Sequence, residues 1–250
     1  LDSSGVRQAR REEIDEYHKH GVYIKVPIQE CYAKTGKKPI GVRWIDINKG
    51  DKENPEYRSR LVAKEIKVNK RDDLFAATPP LEALKVMFSL AVTEGIGFRR
   101  GDKKKVMKMG FIDVRRAYFH AKAKRDVYVE LPGEDYEEGM RGKLRMSMYG
   151  TRDAAQNWED CYVEFVESLG FRRGKGSPCV FYRESDQARL EVHGDDFTIL
   201  ASGESIEGFR REMSRRFEIK FKGTIGPDDG DTKITRILNR VIAWSPDGIE

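Results

Sequence analysis

Cysteine and long apolar runs are what this 250-residue chain has least of. Its three cysteines, Cys31, Cys161 and Cys179, are odd in number and fall at spacings that no zinc site or disulfide framework uses. That argues against a cystine-stapled secreted scaffold and for a reducing, intracellular setting. No stretch is long and apolar enough to span a bilayer, and no secretory signal opens the chain, so no membrane partner is expected. Internal repeats and low-complexity tracts are also missing, which excludes solenoids and disordered linkers.

Charge is plentiful. Lysine and arginine number 47 against 42 acids, a net charge of +5, and charged residues make up 36% of the chain against 38% hydrophobic. The balance favours a polyanionic partner without requiring one. The length allows one large domain or two subdomains, and Leu1 and Glu250 fit a piece of a longer polypeptide.

Apolar spacing predicts helices over 8–20, 80–94, 154–169 and 204–216, several closed by glycine. Strands are predicted over 22–26, 110–114, 127–132, 143–148, 179–182, 217–221 and 234–244. A hairpin pairs 41–47 with 57–64, and Arg99 to Lys108 reads as a basic loop. Lys103-Lys104-Lys105 within it is read as solvated, with a nucleic-acid contact as the other reading. Helices and strands mix without regular alternation, which makes the fold class α+β.

The chemistry concentrates in His193-Gly194-Asp195-Asp196. Two adjacent acids sit in a tight turn between the apolar runs 189–192 and 197–201, the two arms of a β-hairpin. A second acid, Asp113, lies in the apolar run Phe111 to Phe119, where a carboxylate is costly unless a cation or donors satisfy it. Asp113, Asp195 and Asp196 together can hold two magnesium ions, hard cations that take oxygen ligands. Two such ions about 3.5–4 Å apart suit an in-line displacement. His193 has no second histidine or cysteine beside it and reads as a turn or packing residue.

Further segments extend the pattern. They are Gly36-Lys37-Lys38-Pro39-Ile40-Gly41 with Trp44, Tyr57 to Lys64, Phe111 to Pro132, Ser147-Met148-Tyr149-Gly150 with Trp158, Ser168-Leu169-Gly170-Phe171, the Asp-Asp hairpin, and Ile237-Leu238. In this order and spacing the chain resembles the reverse transcriptase of copia-type long-terminal-repeat retrotransposons. The resemblance implies a right-hand polymerase with fingers and a palm built on a ferredoxin-like antiparallel sheet. Residues 1–35 would be an N-terminal helix and lead-in strand, 36–109 mainly fingers and 110–250 mainly palm, the two interleaved. Integrase, thumb and RNase H regions would belong to the parent polyprotein, with the thumb and RNase H beyond Glu250, in a cytoplasmic particle or the nucleus.

The same resemblance assigns roles. Asp113, Asp195 and Asp196 become the catalytic, metal-binding carboxylates, with the Val114 carbonyl as a further ligand for Mg2+ or Mn2+. Tyr118 becomes a steric gate against a ribose 2′-hydroxyl, or else core packing. Arg58 and Arg60, on one strand face, become a clamp for a deoxynucleoside triphosphate, or else a solvated edge. Lys220 falls where a palm lysine protonates pyrophosphate. Lys64, Tyr149, Gly150 and Arg152 would meet an RNA or DNA template–primer duplex.

Two departures stand out. His193-Gly194 replaces an aromatic and a small or branched apolar residue before the paired acids. Asp153 replaces the glutamine of the family's Tyr-Gly-Leu-Lys-Gln-Ala-Pro motif. A negative charge there opposes a triphosphate unless it is neutralised, and Asp153 also reads as a helix N-cap with Gln156 as capping partner. Two rival functions follow: a catalytically inactive nucleic-acid-binding module that keeps the fold, and a palm-type nucleotidyl cyclase. The fingers-like segment 36–64 and the aromatic gate speak against the cyclase.

Overall fold

The structure, a computed structural model, describes residues 3–66, 76–98, 106–237, 240–245 and 248–250. Lys103-Lys104-Lys105 and Leu238 lie outside the described residues.

In chain order the elements are α1 (Ser3–Lys19), β1 (Tyr23–Pro27), α2 (Ile28–Thr35), β2 (Val42–Asn48), β3 (Tyr57–Ala63), α3 (Leu81–Ala91) and β4 (Met107–Val114). Then come β5 (Tyr128–Val129), β6 (Met140–Leu144), α4 (Ala154–Ser168), β7 (Arg172–Arg173), β8 (Val180–Arg183), β9 (Ala188–His193) and β10 (Asp196–Ser202). The described elements end with α5 (Gly203–Arg216), β11 (Ile219–Ile225), β12 (Ile234–Ile237), β13 (Arg240–Ser245) and β14 (Gly248–Ile249).

The four expected helices and the 41–47/57–64 hairpin are present. The strands over 110–114 and 217–221 run Met107–Val114 and Ile219–Ile225, and three others differ more. The one over 127–132 shrinks to Tyr128–Val129, and the Glu130 N–H beyond it turns to the Ile40 carbonyl. The one over 143–148 lies earlier, at Met140–Leu144. The one over 234–244 is two antiparallel strands, Ile234 facing Ala243 and Ile237 facing Arg240. Helix α2 was not expected. It is one short amphipathic segment that buries Cys31 and ends on Gly36 in the left-handed conformation.

The chain divides into two compact units, Leu1–Ala76 with Tyr118–Cys161, and Ala77–Ala117 with Tyr162–Glu250. The first holds the sheet β1-β6-β5 and the hairpin β2-β3. Its core gathers Ile14, Tyr17, Val22, Leu61, Phe119, Val129 and Met148. Tyr17 is wholly buried. Its hydroxyl donates to the Leu61 carbonyl at 2.9 Å and its ring meets Phe119 edge-on at 4.7 Å, so the polar tip of a large apolar side chain is satisfied.

The second unit carries a six-stranded antiparallel sheet, β11-β4-β10-β9-β8-β7. Chain order β4-α4-β9-β10-α5-β11 with spatial order β11-β4-β10-β9 is the ferredoxin-like βαββαβ arrangement. Ser202 caps α5 by accepting the Ser205 N–H at 3.2 Å. One sheet face packs on helices: Phe197 meets Tyr162 of α4 edge-on, and Gly110 leaves room for Ile206 of α5. The other face runs in rows, because side chains directly opposite share a face. Met109 and Leu200 form one row and Phe111 and Thr198 the next. The apolar members pack with Leu84, Met87 and Ala91 of α3 and Ile242 of β13. The last row on that face is acidic, Asp113 opposite Asp196. No described helix is long and apolar enough to cross a membrane.

Glu191 lies on that second face, opposite Thr198. It is 4% exposed, and its Oε2 has no hydrogen-bond partner among the described residues. Burial pushes its pKa up to about 7. The folded chain therefore holds a proton there that the unfolded chain releases at ordinary carboxylate pH. Stability falls as pH rises from the ordinary carboxylate range to about 7 and stays lower above it. Glu191→Gln is expected to raise the unfolding free energy by about 2 kcal/mol near pH 8 and by little near pH 4. Urea unfolding at the two pH values checks this, and an equal effect at both contradicts it.

Candidate active site

Three features converge on the acidic row. Strand β4 delivers Asp113 one residue before its end, and β10 begins with Asp196 directly across from it. Between β9 and β10 the loop is two residues, Gly194 and Asp195, closed by the pair His193–Asp196. Gly194 has φ 64° and Asp195 a negative φ, the pattern of a hairpin turn with glycine first. The glycine that departs from the family pattern is therefore the residue this turn needs. The Asp195 carbonyl accepts the Val114 N–H at 2.8 Å, which ties the hairpin tip to the end of β4.

Two carboxylates facing each other across a ladder repel. A cation offsets this: Lys222 Nζ lies 2.6 Å from Asp196 Oδ1 and 3.2 Å from Asp113 Oδ1. Burial works to lower the Lys222 pKa, but Asp196 and then Asp113 outweigh it, so the ammonium is held charged above its ordinary range. Lys220 stands opposite Asp113 in the β11–β4 ladder and is exposed. The lysine that reaches the acids is Lys222, two residues on. Lys222 lies one residue beyond the strand predicted over 217–221, and the ladder slip between Phe221 and Gly223 leaves it as the extra residue. Asp195 is exposed at the tip. Among the described residues, the three aspartates are not a group whose ligand atoms all lie within 4.8 Å of one another. The donor set nonetheless fits a divalent ion: hard carboxylate oxygens already converge on a positive charge.

Apart from Lys220, the nucleotide- and duplex-binding candidates lie in the other unit, on β3 and the segments packed beside it. Arg58, exposed, and Arg60, half-buried, share one face of β3, alternating with buried Ser59 and Leu61. The Arg60 guanidinium lies 5.1 Å from the Tyr149 ring centroid, and Tyr118 packs on the same ring at 4.8 Å. Tyr149 also accepts the Ala63 N–H at 2.8 Å. At Gly150, φ is 84° and a Cβ would stand 2.1 Å from the Ala63 carbonyl oxygen, so only glycine fits this approach. Lys64 is exposed, its N–H donating to the Gly41 carbonyl. The Arg152 N–H donates to Glu65 Oε2 at 2.8 Å.

Asp153 immediately precedes α4, where a cap belongs, but Gln156 is not what holds its carboxylate. Arg125 donates to Oδ1 at 2.8 Å and the Asn157 side chain to Oδ2 at 3.2 Å. Arg125 also forks onto Glu65 at 2.7 and 2.6 Å. Burial raises the Asp153 pKa, and Arg125 more than reverses it, keeping the carboxylate charged below its ordinary range. The charge that would oppose a triphosphate at this position is therefore already met by a guanidinium.

Residues 31–227 match the sequence family described as reverse transcriptase (RNA-dependent DNA polymerase). A curated relative, the retrovirus-related Pol polyprotein from transposon TNT 1-94 of Nicotiana tabacum, is 24% identical over 235 residues, covering 89% of this chain and 16% of that protein. Two structures of a foamy viral protease–reverse transcriptase with double-stranded DNA share the fold. One has TM-score 0.51 at 13% identity over 99% of this chain, the other 0.54 at 14% over all of it. The chain spans 35% and 42% of their lengths. The expectations of a copia-type reverse transcriptase fragment and of an α+β polymerase fold are both met.

Because Gly194 sits in the left-handed region, Gly194→Val is expected to destabilise the chain by about 1–2 kcal/mol. Urea unfolding checks this, and an unchanged midpoint contradicts the turn assignment.

Proposed function

The chain belongs to the reverse transcriptase (RNA-dependent DNA polymerase) family, and on that footing we propose that it is the nucleotidyl-transfer module of an RNA-directed DNA polymerase. The opposition of Asp113 and Asp196 around one cationic position carries this reading. The unit built on the six-stranded sheet acts as palm, and the unit holding β2 and β3 acts mainly as fingers. The ions are magnesium, with manganese able to replace it. When bound, two divalent ions lower the pKa of a primer 3′-hydroxyl and neutralise charge on departing pyrophosphate.

The chain's own residues bind and orient. Asp113, Asp195 and Asp196 supply ligand oxygens, with the Val114 carbonyl beside them. Arg58 and Arg60 offer bidentate donors to the triphosphate of a deoxynucleotide. Tyr118, braced by Tyr149, bars a 2′-hydroxyl. Lys220, exposed opposite Asp113, donates a proton to the leaving pyrophosphate. Lys64, Tyr149, Gly150 and Arg152 contact the backbone of an RNA or DNA template–primer, so binding is salt-sensitive and independent of sequence. Integrase, thumb and RNase H regions complete the parent polyprotein, and the working site is an intracellular particle or the nucleus. One observation favours the rival binding module without catalysis: Lys222 already neutralises the acids.

Primer extension on an RNA template separates the two. With Mg2+ the chain is expected to add deoxynucleotides, and Asp196→Asn to lower the rate by at least about a hundredfold with duplex binding retained. Duplex binding with no extension in Mg2+ or Mn2+ contradicts the polymerase reading.

A further inference from the structure

The β11–β4 ladder slips between Phe221 and Gly223, leaving Lys222 as the extra residue of a bulge. Bulges re-aim a side chain next to a site, and this one carries the Lys222 ammonium to both facing carboxylates, 2.6 Å from Asp196 and 3.2 Å from Asp113. Each contact is within ion-pair distance, and together they use one oxygen of each acid. Lys220 also stands in register with Asp113, and His193 in register with Asp196. Among the described residues, the ion pairs to the two facing acids are made by Lys222.

We infer that Lys222 is a tethered internal cation that holds Asp113 and Asp196 in the metal-free state and must swing out for a divalent ion to enter between them. This rests on the reading of those acids as metal ligands. An ammonium and a divalent ion cannot share the same pair of oxygens, because like charges at that separation repel strongly. The lysine thus does two things. It relieves the repulsion of two opposed carboxylates, which keeps the β4–β10 register when no ion is present. It also sets a threshold, since divalent binding releases a salt bridge that must first be broken. On a flexible four-carbon stem the ammonium can leave without moving the strand.

The test uses the full 250-residue chain and Mn2+ alone, with bound ion read from the loss of the free Mn2+ electron paramagnetic resonance signal. Lys222→Gln is expected to bind Mn2+ at least about tenfold more tightly than the unaltered chain. Lys222→Arg keeps the charge and is expected to bind as weakly as the unaltered chain. Lys220→Gln removes an equal charge nearby and is expected to tighten binding much less. Thermal unfolding supplies a second readout. Without Mn2+, Lys222→Gln is expected to melt below the unaltered chain, and with saturating Mn2+ to recover the difference. A melting curve that returns with Mn2+ also shows that the variant is folded. Equal Mn2+ affinity in Lys222→Gln and the unaltered chain, while Asp196→Asn binds more weakly, overturns the tether alone. An equal gain in Lys220→Gln also overturns it, since a general change in field then suffices. If Mn2+ binds to Asp196→Asn and Asp113→Asn as well as to the unaltered chain, or to no variant, the metal site itself is withdrawn and the tether with it.

Discussion

Two carboxylates facing each other across an antiparallel ladder are the constraint around which the sheet unit is built. Asp113 and Asp196 are in direct register, and left alone they would push β4 and β10 apart at the end where the ladder begins. The sheet answers in several ways. Apolar rows further along the same face lock the strands through Met109, Phe111 and Leu200 against α3. A two-residue turn on Gly194 holds β9 to β10. The Asp195 carbonyl pins the tip to Val114. Lys222 brings the charge that the acids lack. The two carboxylates are thus held in place by ladder geometry and by Lys222.

The second cluster obeys a different economy. Around the end of β3, Tyr149 is shared between Tyr118 and Arg60, through ring packing and a cation–π contact. Such contacts hold a guanidinium without using its donors, which stay available for a phosphate. Close by in sequence, Arg125 does the opposite. Its two terminal nitrogens are taken up by Glu65 and Asp153, and breaking one arm of such a group leaves a half-buried charge without its partner. Asp153 is thus a structural partner of Arg125 as well as a departure from a motif.

Much of this was legible in the chain. Apolar runs at 189–192 and 197–201 around a glycine-bearing turn marked the hairpin, and one acid in an apolar run marked Asp113, because both signals are local. Helices with glycine stops were equally local. What could not be read depends on register. The choice of Lys222 over Lys220 is made by a ladder slip that no periodicity reveals. Arg125 finds Glu65 and Asp153 across 60 and 28 residues of chain. Glu191 looked like an ordinary polar member of an alternating strand, yet packing closes over it. Short strands such as β7 and β14, two residues each, carry too little pattern to be found.

The central claim is that Asp113, Asp195 and Asp196 form one divalent-ion centre. A crystal structure of this chain soaked with Mn2+, read by anomalous scattering at the manganese edge, tests it most directly. The expected result is an anomalous peak within coordination distance of Asp113 and Asp196, with Lys222 Nζ moved off both. No peak at those oxygens under saturating Mn2+, with the lysine still bridging the pair, contradicts it.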